Sequence, residues 1–318
     1  MNYRTWALIN GPLFTLNFTP NAFYLFCMVR PLQGERIKQP LKLLLGSLIV
    51  STIAYLTSVF AVFFSVPLAE SNNMTHVARL VSVCCLSTSI SSSVWLNFFY
   101  CTQIVPAHRA LFIWIKKNIK AIIFCIWFVE IVYSVLDFTV VLVKIFPLED
   151  FGFNDTFTMD QTNQTPAWVF VKHLNDMYLS LIFLQRFHFY FCVGVMVVSS
   201  GVTVAYLCRH MRRIVANGQS LSCPRLSSQV RVTVTGILQG LLFVTCAVWR
   251  EYRFVSEHTD SAFTSPYIHL TVINLYMSGT TFNLGVGQAV FRHRAADIWT
   301  RAAQLCRAPT EQQPQQGV

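Results

Sequence analysis

The stretch SISSSVWLNFFYCTQIVPAHRALFIWIKKNIK, residues 89–120, decides the reading of this chain, because within it an uncharged apolar run breaks into a basic segment. No residue from 80 to 107 carries a formal charge, a run longer than the roughly 20 apolar residues a helix needs to cross a bilayer core. Arg109, Lys116, Lys117 and Lys120 follow with no acid among them, the composition that holds a short loop on the cytoplasmic side. Placing this span sets the direction of every other, since consecutive spans alternate.

Composition agrees. Of 318 residues, 54% are hydrophobic and 12% charged, about half the charge of a soluble protein, and the mean hydropathy is +0.48. The net charge of +10 raises nucleic acid as a partner, but the basic residues are scattered between apolar runs and form no stripe or arm. No nucleic-acid partner is expected. The ten cysteines fall in predicted spans or on the cytoplasmic side, so no disulfide framework is implied. Cys84 and Cys85 are adjacent and no C-x-x-C or H-E-x-x-H occurs, so neither a metal nor a cofactor is expected.

Working outward from the third span, six more segments have spanning length. The first covers residues 6–29, where Pro12 and Pro20 should bend the helix and Asn21 should hydrogen-bond to a neighbour. Arg30, Arg36, Lys38 and Lys42, with Glu35 the only acid, make a basic connection to the second span, 43–69. Residues 70–79 read as a short polar outer loop. The fourth span, 121–143, carries Glu130 and Asp137, followed by Lys144, each seven residues apart and on one helical stripe. The plain account of these buried groups is pairing with polar groups on neighbouring helices, or a protonated Glu130.

The longest outer loop, 145–172, is acidic and holds the glycosylation sequons of Asn154 and Asn163. The fifth span, 181–207, ends in Cys208-Arg209-His210-Met211-Arg212-Arg213, and residues 214–231 read as a flexible inner connection. The sixth and seventh spans cover 232–249 and 262–291. Residues 1–291 thus form an all-α, seven-transmembrane helix bundle, and 292–318 a cytoplasmic tail. In the tail, Ala295, Ile298, Trp299, Ala302 and Leu305 recur at helical spacing, which predicts a short amphipathic helix in the inner interface.

The charges test this arrangement. Of the 24 Lys and Arg, 17 fall in the four segments assigned to the cytosol, against only Glu35, Asp297 and Glu311 of the 14 acids. The amino terminus is therefore expected outside the cell, in a plasma-membrane protein.

Seven spans with an outer amino end point to a G-protein-coupled receptor, but the rhodopsin-like marks are absent: there is no Asp-Arg-Tyr after span three and no Asn-Pro-x-x-Tyr in span seven. Instead, Phe99-Tyr100-Cys101-Thr102-Gln103-Ile104-Val105 and Leu111-Phe112-Ile113-Trp114-Ile115-Lys116 resemble the F-Y-x-x-K-I-A and L-F-x-W-L-K segments of the type 2 taste receptors, the bitter receptors. Leu207-Cys208-Arg209-His210 resembles that family's S-L-x-x-H, and Gln229-Val230-Arg231-Val232-Thr233 its H-V-R-A-L. In span seven, Phe282, Leu284 and Gly287 match H-S-F-I-L-I-L-G-N-S-K-L. The departures, Gln103 for lysine and Leu48 for an arginine among them, imply a divergent, fish-like branch and keep the type 1 vomeronasal receptors as the alternative.

The resemblance implies a cavity open to the outside, between spans three, five, six and seven, that takes small bitter molecules, and an inner face that engages a heterotrimeric G protein. On span three, Thr88, Ser92, Trp95 and Phe99 share one face. Trp95 matches a pocket-facing position of some relatives, and Ser91 stands where many carry tryptophan. Phe187, Tyr190, Trp249 and His269 are further lining candidates. The plainer reading of all of them is core or interfacial packing. Arg109, Lys116, Lys117, His210, Arg212 and Arg213 are the candidates for the G-protein contact, though inward topology and attraction to phospholipid account for such residues equally. A transporter or channel is the rival from another class, and it would have to run through Glu130 and Asp137. No covalent chemistry is expected.

Overall fold

A computed structural model describes residues 2–30, 39–68, 72–106, 110–145, 166–216, 224–258 and 266–307. Among the described residues, eight helices follow in chain order: α1 (Tyr3–Val29), α2 (Leu41–Leu68), α3 (Asn72–Ile104), α4 (Ala110–Ile145), α5 (Pro166–Ala216), α6 (Pro224–His258), α7 (Pro266–Gly287) and α8 (Ala289–Arg307). No strand occurs among the described residues. The end of the bundle where α1 begins is called the N-face below, and the opposite end, where α8 lies, the tail face.

Five helices, α2 to α6, are long and apolar enough to cross a membrane. α1 and α7 are less apolar for a structural reason: each spends its polar residues on the other. Asn10 Nδ2 donates to Thr271 Oγ1 at 3.0 Å, and Asn274 Nδ2 donates to Asn10 Oδ1 at 2.6 Å. Further along, Asn17 Nδ2 donates to Ser278 Oγ at 2.7 Å and Asn21 Nδ2 to Thr281 Oγ1 at 2.8 Å. These groups point between the two helices and not at lipid, so most of the cost of burying them is offset by bonds inside the bundle, although Asn274 Oδ1 is buried without one. The interhelical bond expected of Asn21 is one rung of this ladder.

Two apolar clusters fill the bundle. Near the N-face, Trp6 of α1, Tyr55 of α2, Ile90 of α3, Phe189 of α5, Phe243 of α6 and Met277 of α7 meet. Near the tail face, Tyr24, Leu45, Trp95, Ile123 and Phe291 meet. Tyr24 stacks on Phe291 at 4.5 Å, and the Arg294 guanidinium lies 5.7 Å above the Phe26 ring, so α8 is held against the end of α1. On its far side Trp299 is exposed, as expected of an amphipathic helix at an interface.

The helices outrun the spans predicted from hydropathy. α3 begins at Asn72, inside the segment read as a polar loop, and α4 begins at Ala110, so Lys116, Lys117 and Lys120 are helical. α5 starts within the predicted outer loop, and α5 and α6 take up most of the predicted flexible connection at 214–231. At 51 residues α5 is about 77 Å long, far more than a bilayer core requires. Hydropathy marks where the hydrocarbon ends, whereas lysine and arginine are good helix formers whose aliphatic stems tolerate that boundary. In the opposite sense, the seventh span is shorter than predicted: the helix breaks at Gln288, and Phe291 belongs to α8.

Candidate ligand and coupling sites

At the N-face, α5, α6 and α7 present a polar rim over an aromatic floor. Arg186 of α5 and Glu251 of α6 pair at 2.8 Å. Beside this pair, Trp249 Nε1 of α6 donates to His269 Nδ1 of α7 at 3.2 Å, and the Arg250 guanidinium sits 4.5 Å above the Phe189 ring. Phe189 in turn meets Phe243 at 5.7 Å. Two of the predicted ligand residues, Trp249 and His269, are thus brought into direct contact. Arg186, Phe189, Arg250 and Glu251 are partners that the sequence reading did not single out.

The predicted stripe on α3 turns mostly towards α2 and α4, with its contacts to α5 on the outer side. Ser92 Oγ donates to Ser47 Oγ of α2 at 2.9 Å. Trp95 and Phe99 lie in the tail-side cluster with residues of α2 and α4, Trp95 also meets Phe191 of α5 at 6.4 Å, and Thr88 lines a cleft shared with α4 and α5. Ser91 is fully buried with no hydrogen bond to its hydroxyl. The face turned to α5 and α7 is instead Ser89, Asn97 and Tyr100: Ser89 Oγ donates to Met277 Sδ at 3.7 Å, and Asn97 Nδ2 donates to Ser199 and Ser200 of α5 at 3.0 and 2.8 Å. Each residue turns an α-helix by about 100°, so an offset of one residue moves a stripe to another neighbour. The signal that marks the inward face is the polar series Ser89, Ser93, Asn97, spaced by four.

α5 shows the same correction. Phe187 is 65% exposed and Tyr190 53% exposed, both on the outer surface of the bundle, while Phe189 between them is 5% exposed. The inward face runs through Phe189, Cys192, Met196, Ser199 and Thr203, an alternation of three and four residues that leaves Phe187 and Tyr190 to the lipid side.

Of the two acids on α4, Glu130 Oε1 lies 3.2 Å from His188 Nε2 of α5, and Asp137 is half-buried within electrostatic reach of Tyr133 and of Cys84 on α3. Glu130 therefore has the neighbour-helix partner that the plain account asked for.

Towards the tail face a second set of polar groups crosses the bundle. Gln239 Nε2 of α6 donates to Thr280 Oγ1 of α7 at 3.0 Å, and Asn283 Nδ2 of α7 donates to Thr235 O at 2.8 Å and Gln239 Oε1 at 3.1 Å. Tyr100 of α3 reaches Gln288 at the α7–α8 break. They line a small cavity between α3, α6 and α7. α6 approaches α3 closely there because position 236 is glycine: a Cβ at Gly236 would stand 2.7 Å from Asn97 Oδ1.

A family model described as Taste receptor protein (TAS2R) matches residues 13–302, from within α1 to within α8. The chain belongs to the taste receptor family. It is a receptor and not an enzyme, and membership decides between the two chemosensory families that the motifs resemble. No match is found among curated proteins.

In this taste receptor the residues predicted for the coupling face are distributed over two helices. Lys116 and Lys117 are exposed near the start of α4, and Arg212 and Arg213 near the end of α5. His210 is half-buried and its ring stacks on Tyr206 at 5.9 Å. Arg109, Asn154 and Asn163 lie outside the described residues.

Proposed function

We propose that this taste receptor is a G-protein-coupled bitter receptor of the plasma membrane, with its amino end outside, that binds small molecules at the N-face and activates a heterotrimeric G protein at the tail face. The family match over residues 13–302 carries this reading. The N-face supports it chemically. Trp249 and His269 offer an indole and an imidazole that pair with each other, and Arg250 lays a guanidinium over the Phe189 ring, which meets Phe243; a few directed polar groups beside apolar rings are the make-up of a small-molecule site.

A ligand that prefers one arrangement of α5, α6 and α7 shifts the population of the bundle toward it. The tail face is the part that must respond, and there hydrogen bonds of Tyr100, Gln239, Asn283 and Gln288 tie α3, α6 and α7 together. Each is worth about 1 kcal/mol net, so a ligand of ordinary differential affinity is sufficient to exchange them. The exposed Lys116, Lys117, Arg212 and Arg213 supply positive charge for the G protein, together with Arg109 and His210, and the outer loop carries glycans at Asn154 and Asn163.

Expression of the full chain in cells with a promiscuous G-protein α subunit, followed by calcium imaging against a panel of bitter compounds, tests the proposal. A saturable response that disappears without the G protein supports it. Surface-expressed receptor that stays silent across the panel and is reached by an amino-terminal antibody only after permeabilisation overturns it.

A further inference from the structure

Outside both sites, a cleft between α3, α4 and α5 is lined by Ser87, Thr88, Glu130, Tyr133, Ser134 and His188, with Val129 and Leu184 at its edge. It encloses about 480 Å³ including its open mouth. Val129 is 64% exposed and Leu184 49% exposed, so the mouth opens sideways on the outer surface of the bundle and not at either end. Glu130 is the group to explain. Its side chain is only 14% exposed, and its Oε1 pairs with His188 Nε2 at 3.2 Å. The same His188 nitrogen is 3.5 Å from Cys192 Sγ, so it is divided between two neighbours. A carboxylate has about four acceptor sites, of which His188 fills one, and Glu130 lines space that a ligand can enter.

We propose that this cleft binds the head of a single-chain amphipathic amine that enters from the membrane, its nitrogen donating to Glu130 Oε1 and its chain leaving between Val129 and Leu184. The chemistry selects the occupant. The acid calls for a cationic or donor head, the hydroxyls of Ser87, Thr88 and Ser134 can accept its remaining N–H groups, and the apolar mouth calls for a hydrocarbon chain. Depth selects the source. Between Lys120 and Lys144, the charges that flank this part of α4, Glu130 lies ten residues from the first and fourteen from the second, about 15 Å or more along the axis from either. An aminophospholipid headgroup, tied to the interface and carrying a phosphate beside its ammonium, does not reach that level, whereas a free amine partitioning into the bilayer does. The site is separate from the N-face and independent of the signalling role.

The test uses full-length receptor in phosphatidylcholine nanodiscs and dodecylamine carrying a diazirine near its head, with crosslinked peptides mapped by mass spectrometry. The expected label falls on residues 129–134 and 184–188, is competed by dodecylamine but not by dodecanol, and drops at least tenfold in Glu130→Gln. Val129→Trp, at an exposed position where folding is not at stake, should close the mouth and lower the label similarly. That variant decides the matter if Glu130→Gln does not fold. Label spread over other exposed helix faces, equal competition by dodecanol, displacement by added phosphatidylethanolamine, or full labelling of Val129→Trp overturns the proposal.

Discussion

Tyr100 of α3 and Gln288 at the α7–α8 break hold each other by two hydrogen bonds: the tyrosine hydroxyl donates to Gln288 Oε1 at 2.9 Å, and Gln288 Nε2 donates back to the hydroxyl at 2.6 Å. The pair closes the tail face between the helix that leads to the basic α4 start and the helix that continues into α8. Opening that face separates the two side chains. Tyr100→Phe keeps the ring and removes both bonds, a loss of about 1–2 kcal/mol from the closed arrangement. Ligand-independent G-protein activation should therefore rise severalfold per receptor at the cell surface. Gln288→Leu should do the same, and the double variant should add little to either alone. Unchanged basal activity in both would show that the pair does not restrain the receptor.

The ladder between α1 and α7 predicts a stability effect that no ligand enters. Asn10 lies at its N-face end, bonded to Thr271 and Asn274, and is 3% exposed. Replacing Asn10 by Leu should lower the unfolding temperature in detergent, and Asn274→Leu likewise. Coupling between them in a double-mutant cycle should be about 0.5–1.5 kcal/mol, the range for hydrogen bonds between membrane helices. Additive losses would mean that the Asn10–Asn274 bond contributes nothing of its own.

Glycine marks where helices touch. A Cβ added at Gly285 of α7 would collide with the Tyr24 hydroxyl, whereas one at Gly11 of α1 would meet nothing within 4 Å. Tyr24 is not free to yield, since it stacks on Phe291 and donates to Thr281 O at 3.3 Å. Gly285→Ala should thus cost about 1–3 kcal/mol as overpacking does, seen as a lower thermal midpoint, while Gly11→Ala should be neutral or slightly stabilising through helix propensity. Equal midpoints would contradict the close approach of α1 and α7 at this level.

These residues show which features are legible in such a sequence. The apolar run at 80–107, the lysines after it and the asymmetry of 17 cations towards one side disclose a bundle of membrane helices, because the bilayer forbids any other reading of uncharged segments that long. Motifs around Tyr100 and Trp114 disclose the family. What periodicity could not disclose is the rotation of each helix about its axis. Lipid and protein interior are both apolar, so Phe187 and Phe189 look alike in sequence although one is exposed and the other buried. Only polar residues betray the inward face, as Asn10, Asn17 and Asn21 do on α1 and Ser89, Ser93 and Asn97 on α3. His188 was also out of reach, since nothing in the sequence links it to Glu130, 58 positions earlier.

That rotation gives the sharpest test of the N-face site. If ligands bind there, the rings that matter are those turned inward: Phe189, which carries the Arg250 guanidinium, and Trp249, which donates to His269. Phe187 and Tyr190, although nearby in sequence, lie on the outer surface. Phe189→Leu and Trp249→Leu should each weaken agonist potency by about tenfold or more, the loss of roughly 1.4 kcal/mol expected when an aromatic floor or a directed donor is removed. His269→Phe should weaken it comparably by releasing Trp249, whereas Phe187→Leu and Tyr190→Leu should leave potency within about threefold. Calcium dose–response curves, normalised to surface expression, distinguish the two groups. The reverse order would put the pocket on the opposite side of α5 and would require that helix to be turned by nearly half a revolution.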